Sequence, residues 1–382
     1  MRCGKDSTEA GRCCELGHDS EERDGCWHRR HDPKEVMKLV DIGIVGLGAY
    51  LPETVRGNSE VAPAAGVTAE WIEERTGVLE RRTADSGQAA SDLAANASMR
   101  ALRSAGIAPE QVGLVVLGTS TLDELGPATA CRVQHQISAT SAVAFDVNAA
   151  CSGFVFGMQI AHDWLVQRGR GRYALVIGVE LYSKFLDPTD RGTAVLFADG
   201  AGAAVVGEVP PGRGILHVAT GSDGSQADQV LIPGGGSRVP ASEESLAKGA
   251  HTIHMNGRAV RDFITDAFPR VLDETCRAAG IESTELDMIV PHQPNPLLLR
   301  HLAEQAGIPP EKTVITGDRV GNVGAASIPV ALTHAVAEGR VGDGEYVLLP
   351  TFGAGVTWGA CLLHWSPPFQ LPRSPLDDSY GV

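Results

Sequence analysis

No stretch of eighteen or more apolar residues occurs in this 382-residue chain, which argues against a membrane-spanning helix. Basic residues are the minority charge: 32 Lys and Arg stand against 47 Asp and Glu, for a formal charge of −15. General affinity for nucleic acid or anionic lipid needs a basic face, and none is provided for. Any anionic ligand must therefore be held by local arginines. Four of the eight cysteines crowd the first 26 positions, and the other four lack the paired spacing of a disulfide framework. An apolar signal-peptide core is also missing, so a reducing cytoplasm is the expected compartment. Finally, there is no Gly-x-Ser-x-Gly elbow and no acidic residue beside His292, which argues against a Ser-His-Asp or Cys-His-Asp hydrolase.

What is present begins with an apolar content of 43%, ample for a buried core. Residues 1–36 differ from the rest, being rich in charge, Gly, Cys and His with almost no apolar periodicity. Cys3, Cys13, Cys14 and Cys26 lack the paired knuckles of a zinc site, so no metal centre is assigned there. A disordered leader is the better reading, and Met37 directly before the first strand makes an upstream start of translation the alternative.

Beyond the leader the chain repeats itself. Arg103 to Leu117 aligns without a gap on Arg277 to Pro291, each a helix end closed by Gly, a short loop and an apolar strand. Continuous apolar runs such as Leu114 to Leu117 and Tyr346 to Leu349 alternate with helical segments, the pattern of strands buried on both faces. Two α/β halves are expected over 37–210 and 211–368, followed by a tail over 369–382.

Chemistry concentrates at three places. Cys151 lies between a short strand, Val143 to Val147, and an apolar helix beginning at Phe154. Free backbone N–H groups and the positive helix end at such a junction are expected to favour the thiolate. Small neighbours Ala149, Ala150, Ser152 and Gly153 leave room for a substrate. Much later come Pro291-His-Gln-Pro-Asn295 and Gly321-Asn-Val-Gly-Ala-Ala-Ser327, which supply a histidine and an asparagine.

In that order, Asn148-Ala-Ala-Cys-Ser-Gly-Phe154, His292-Gln-Pro-Asn295 and Gly321-Asn-Val-Gly-Ala-Ala-Ser-Ile-Pro329 resemble the Cys, His and Asn motifs of β-ketoacyl-ACP synthase III. Ala69 to Gly77, Asp187 to Thr193, Phe197 to Ala204 and Phe352 to Gly359 extend the likeness over about residues 38 to 366. The resemblance implies the thiolase fold, a five-layered αβαβα arrangement of two duplicated halves with the active site between them. It implies an acyltransferase in which Cys151 takes an acyl group from acyl-CoA and condenses it with a malonyl thioester, releasing CO2. His292 and Asn322 would steady the enolate, and the backbone N–H groups of Cys151 and Ala354 would form the oxyanion hole. Ala354 departs from the family's usual Gly.

The same resemblance maps coenzyme A contacts onto Trp71, Arg75 and Arg191, and pantetheine contacts onto Asn295 and the Arg258 position. Arg258 replaces an Asn of the family, so its neighbour Asn256 is a further candidate. No cofactor beyond the coenzyme A thioester substrate is implied. An acidic acyl carrier protein and a second copy of the chain are the implied partners, although Leu297 stands where a basic docking residue is common. The glycine-rich loops Gly221 to Gly224 and Gly234 to Arg238 look closest to polyketide versions, which puts starter-unit selection ahead of housekeeping fatty-acid synthesis. Glu124 is the one candidate for an additional base, against the plainer reading of a solvated loop carboxylate. The rival readings are an acyltransferase to a hydroxyl or amine acceptor, and a non-catalytic partner of a heterodimer.

Overall fold

The computed structural model describes residues 40–168 and 171–377, so the expectations for the leader lie outside the described residues. These residues form one compact unit. In the first half β1 (Ile42–Tyr50) is followed by α1 (Ala69–Thr76), α2 (Ala90–Ala105), β2 (Val112–Gly118), α3 (Thr129–Gln136) and β3 (Val143–Val147). Then come α4 (Gly153–Arg168), β4 (Tyr173–Leu181) and β5 (Asp199–Glu208). The second half runs β6 (Gly214–Ser222), α5 (Gly257–Ala278), β7 (Met288–Ile289), α6 (Pro296–Gln305), α7 (Ser327–Ala337), β8 (Tyr346–Gly353) and β9 (Thr357–His364).

Each half builds its own sheet. The first has the order β1-β5-β4-β2-β3, the second β7-β8-β9-β6. Both have the same plan: one edge pairs antiparallel (β1 with β5, β6 with β9), the centre is antiparallel, and the far side turns parallel. Thr313 adds a parallel bridge outside Ile289, where the first sheet has β3. The duplication read from the helix-loop-strand alignment therefore extends to strand order.

Layering follows from which faces are apolar. All seven residues of β2 are buried, which fits a strand covered by helices on both sides. Between the sheets lie α4 and α7, with Phe154, Met158, Leu165, Ile328 and Leu332 in one core alongside Leu114, Val176, Leu349 and Cys361. On the outer face of the first sheet pack α2 and α3, and on that of the second α5 and α6. The result is the five-layered thiolase fold. Close approach of the central layer depends on glycine: a Cβ on Gly118 would lie 2.6 Å from the carbonyl carbon of Gly153, where α4 begins. No helix among the described residues is long and apolar enough to cross a membrane.

Candidate active site

Cys151 lies in a single 3-10 turn, Ala150–Ser152, between β3 and α4. Ala150 holds φ at +48°, a left-handed conformation that costs a side-chain-bearing residue of order 1–3 kcal/mol. Hydroxyl groups from the other half hold that turn. Thr351 Oγ1 donates to the Cys151 carbonyl at 3.0 Å, and Thr357 Oγ1 lies 3.0 Å from the Ala149 carbonyl and 3.1 Å from Ser152 Oγ. Gly353 completes the contact, since a Cβ there would sit 3.0 Å from the Cys151 nitrogen.

His292 follows β7, its N–H donating to the Pro350 carbonyl at 2.9 Å. The adjacent Gln293 fixes this loop: its Nε2 donates to the Pro291 and Val314 carbonyls, and its Oε1 accepts from the Thr316 and Gly317 N–H groups. Asn322 is tied to the first half, its N–H donating to the Leu196 carbonyl at 2.8 Å while its carbonyl accepts from Ala198 N–H at 2.9 Å. Its side-chain Oδ1 accepts from Gly324 N–H at 2.9 Å, which leaves the amide NH2 as the group able to donate to a ligand.

Cys151, His292, Asn322, Asn295 and Ala354 line one cavity of about 1210 Å³, together with Arg75, Arg261 and Leu297. That volume accommodates a ligand of drug size or somewhat larger. Burial holds His292 neutral, its pKa depressed to about 3, with the Gly324 backbone opposing only part of the effect. Its Nδ1 is buried without a hydrogen-bond partner, so the ring keeps hydrogen-bonding capacity in reserve.

The cysteine itself overturns an expectation. Burial and the neighbouring Glu180 carboxylate push the Cys151 thiol up to about 12, outweighing a lowering contact from the Tyr182 hydroxyl. The strand-to-helix junction therefore does not yield a resting thiolate. Glu180 is fully buried at the end of β4, where Thr121 Oγ1 donates at 2.7 Å and Ser120 N–H at 3.1 Å. Desolvation raises its pKa to about 7. A lone carboxylate in the apolar run Tyr173 to Leu181 is the sequence signal that would have found it.

Other expected contacts are distributed differently. Trp71 and Arg191 stand outside the cavity lining and stack on each other, the guanidinium 5.8 Å from the ring centroid. Arg258 and Asn256 also stand outside it, whereas Gly257 and Arg261 line it. Asn256 and Asn295 each use the side-chain oxygen to cap a helix, accepting from Ala259 N–H at 3.3 Å and Leu298 N–H at 3.0 Å. Their NH2 groups remain as the donors a ligand could use. Glu124 lines the cavity but is paired with Arg132, whose Nε donates at 2.8 Å, so it is not a free base.

Comparison with known proteins places these features in a family. Residues 145–224 match the family description 3-oxoacyl-(acyl-carrier-protein) synthase III, and residues 276–365 match its C-terminal counterpart. The chain is similar to the β-ketoacyl-(acyl-carrier-protein) synthase III of Symbiobacterium thermophilum, 44% identical over 329 residues, covering 86% of this chain and 99% of that protein. It is 43% identical to the acetoacetyl CoA synthase NphT7 of Streptomyces sp. strain CL190, over 86% of this chain and 100% of that one. Among solved structures, the priming β-ketosynthase from the R1128 polyketide biosynthetic pathway superposes with a TM-score of 0.79 at 31% identity, over 88% of this chain and 100% of the other. Spanning nearly the full length of such relatives at this identity, the chain belongs to the 3-oxoacyl-(acyl-carrier-protein) synthase III family, condensing enzymes of the acyltransferase class.

Proposed function

We propose that the cavity carries out a decarboxylative condensation that starts a fatty-acid or polyketide chain. The Cys151 thiol attacks the carbonyl of an acyl-CoA; a C–S bond forms, the C–S bond to coenzyme A breaks, and the thiol proton leaves with the coenzyme A sulfur. Because the resting group is a thiol, proton loss accompanies attack instead of preceding it, the proton passing to the departing coenzyme A sulfur. A malonyl thioester then loses CO2, its α-carbon bonds to the acyl carbonyl, and the expelled Cys151 sulfur takes a proton from water. Negative charge appears on two oxygens in turn. The N–H groups of Cys151 and Ala354 would meet the first, and His292 with the Asn322 amide NH2 the second.

One observation carries the reading: a thiol from one half and neutral His and Asn groups from the other line one cavity, and the Asn amide is oriented to donate. The apolar wall of Phe185, Phe197, Val230, Ile232, Ile253 and Met255 suits an acyl chain. Trp71, Arg75 and Arg191 suit the adenine and phosphates of coenzyme A, and Asn295 with Arg258 or Asn256 the pantetheine. A cytoplasmic homodimer completes the proposal, supported by the exposed apolar side chains of Leu125 and Val143. Sedimentation at twice the 40.1 kDa chain mass tests it.

Incubation with acetyl-CoA and a malonyl thioester, followed by mass spectrometry of Cys151 and by CO2 release, tests the chemistry. Asn322→Ala is expected to keep the acyl-Cys151 adduct while CO2 release falls by about 10²–10³. An adduct that reaches hydroxyl or amine acceptors with no CO2 from any malonyl thioester would establish the simple acyltransferase reading instead.

A further inference from the structure

Both coenzyme A and a carrier protein would present the same pantetheine arm, so they differ only in what the arm hangs from. A nucleotide needs an aromatic plate and a few cations. A carrier protein needs an extended face whose charge opposes its own acidic surface. The rim beside the cavity is made by α1, the first turns of α5, and α6. Gly77 at the end of α1 packs directly on Pro296 and Leu297 of α6, so the exposed faces of these two helices are contiguous.

That face does not suit an acidic partner. Exposed Glu70, Glu73 and Glu74 project from α1, and with Asp318 and a single cation, Arg300, they line a groove that shares Leu297 with the main cavity. On α5 the exposed Asp262 accepts from Arg261 at 2.9 Å and so offsets an arginine that lines the cavity, and Asp266 follows one turn later. Glu304 faces solvent on α6, and Leu297, 36% exposed, supplies an apolar spot in place of a cation. Against these carboxylates stand Arg75, Arg258, Arg261 and Arg300, and no lysine occurs on α1, α5 or α6. By contrast, a nucleotide has what it needs close by: Arg191 on the Trp71 ring, and Arg75 one helical turn further along at the cavity edge.

We infer that the extending malonyl group is delivered on coenzyme A, not on an acyl carrier protein, so that the product is a β-ketoacyl-CoA. The inference rests on the condensation proposed above and specifies its second substrate.

Steady-state rates of CO2 release from malonyl-CoA and from a malonylated acidic carrier protein, with acetyl-CoA as primer, test it. The expected kcat/KM is higher for malonyl-CoA by about tenfold or more at low salt. In the variant Glu73→Lys/Asp262→Lys/Glu304→Lys, the carrier reaction is expected to rise by about tenfold and to lose that gain at high salt, while malonyl-CoA turnover stays within about twofold. Equal or better use of the carrier by the unaltered enzyme overturns the inference and leaves the condensation standing. A carrier reaction that the charge reversal does not move also overturns it, because the face would then not be what excludes the carrier. Acyl-Cys151 formation with CO2 from neither thioester removes the condensation itself, and the inference falls with it.

Discussion

The ionisation of Glu180 bears on both the fold and the sulfur. It shifts from an ordinary 4.5 to about 7, so the folded protein binds more protons than the unfolded chain across that interval. Its contribution is full below pH 4.5 and is lost as pH rises through 7. Relative to wild type, Glu180→Gln is therefore expected to gain about 3 kcal/mol of unfolding free energy between pH 4.5 and 8. His292 runs the opposite way, favouring the fold above 6.5 and failing as pH falls through 3, but it is common to both proteins and cancels. Urea titrations at the two pH values measure the difference; an unchanged gap would mean the carboxyl is not what titrates. The same variant removes the anion beside Cys151, so alkylation of the thiol at pH 8 should accelerate. Sequence reading placed Cys151 at the right junction yet misjudged its protonation. A helix end is visible in a string of residues, whereas the desolvation and buried charge that outweigh it arise only when β4 folds alongside.

At the scale of elements, the active turn is assembled by strands distant in sequence. Continuous apolar runs and the repeated Gly-closed helix end made the strands and the duplication legible, because period and burial are local properties. The threonines of β8 and β9 carried no such signal, since hydroxyls in strands usually face neighbours without consequence. Asn256 and Asn295 illustrate the converse. Asn295 matched a ligand position by resemblance and Asn256 stood two residues from one, and each also caps a helix, with an oxygen already engaged. Thr357→Val removes the hydroxyl 3.0 Å from the Ala149 carbonyl and should destabilise the fold by about 1–3 kcal/mol. Acylation of Cys151 should fall by about tenfold to a hundredfold, since the turn holding the sulfur loosens. Thr357→Ser keeps the oxygen and is expected to recover most of the rate in a single-turnover acylation assay.

For the whole molecule, the segment after β9 ties the halves together. Gln370 exchanges hydrogen bonds with Ser104 on α2, its N–H donating at 2.8 Å and its carbonyl accepting from Ser104 Oγ at 2.7 Å. Further on, Ser374 Oγ meets His334 Nδ1 of α7 at 2.9 Å. Leu376 is only 7% exposed and sits in a cluster with Ala49, Val320, Val323 and Val330, the last three flanking the loop of Asn322. What reads in sequence as a tail of Pro, Ser and Asp thus covers apolar surface. Removing residues 369–382 should lower Tm by ~5 °C, from one buried leucine and its accompanying hydrogen bonds. Decarboxylation should suffer more than acylation, because the shelf behind Asn322 is exposed while the Cys151 turn is untouched. Calorimetry and the two half-reaction assays check these outcomes.

The wall that would receive the acyl chain is built differently from the rest of the cavity. Cys151 and His292 follow strands of the two main sheets and Asn322 is bridged to Phe197 just before β5, whereas Val230, Ile232, Ile253 and Met255 sit on or beside a separate pair of two-residue strands joined by loops. Substitution or lengthening of those loops leaves the reacting centre in place, so starter preference can drift from one descendant to another at little cost to the chemistry they share.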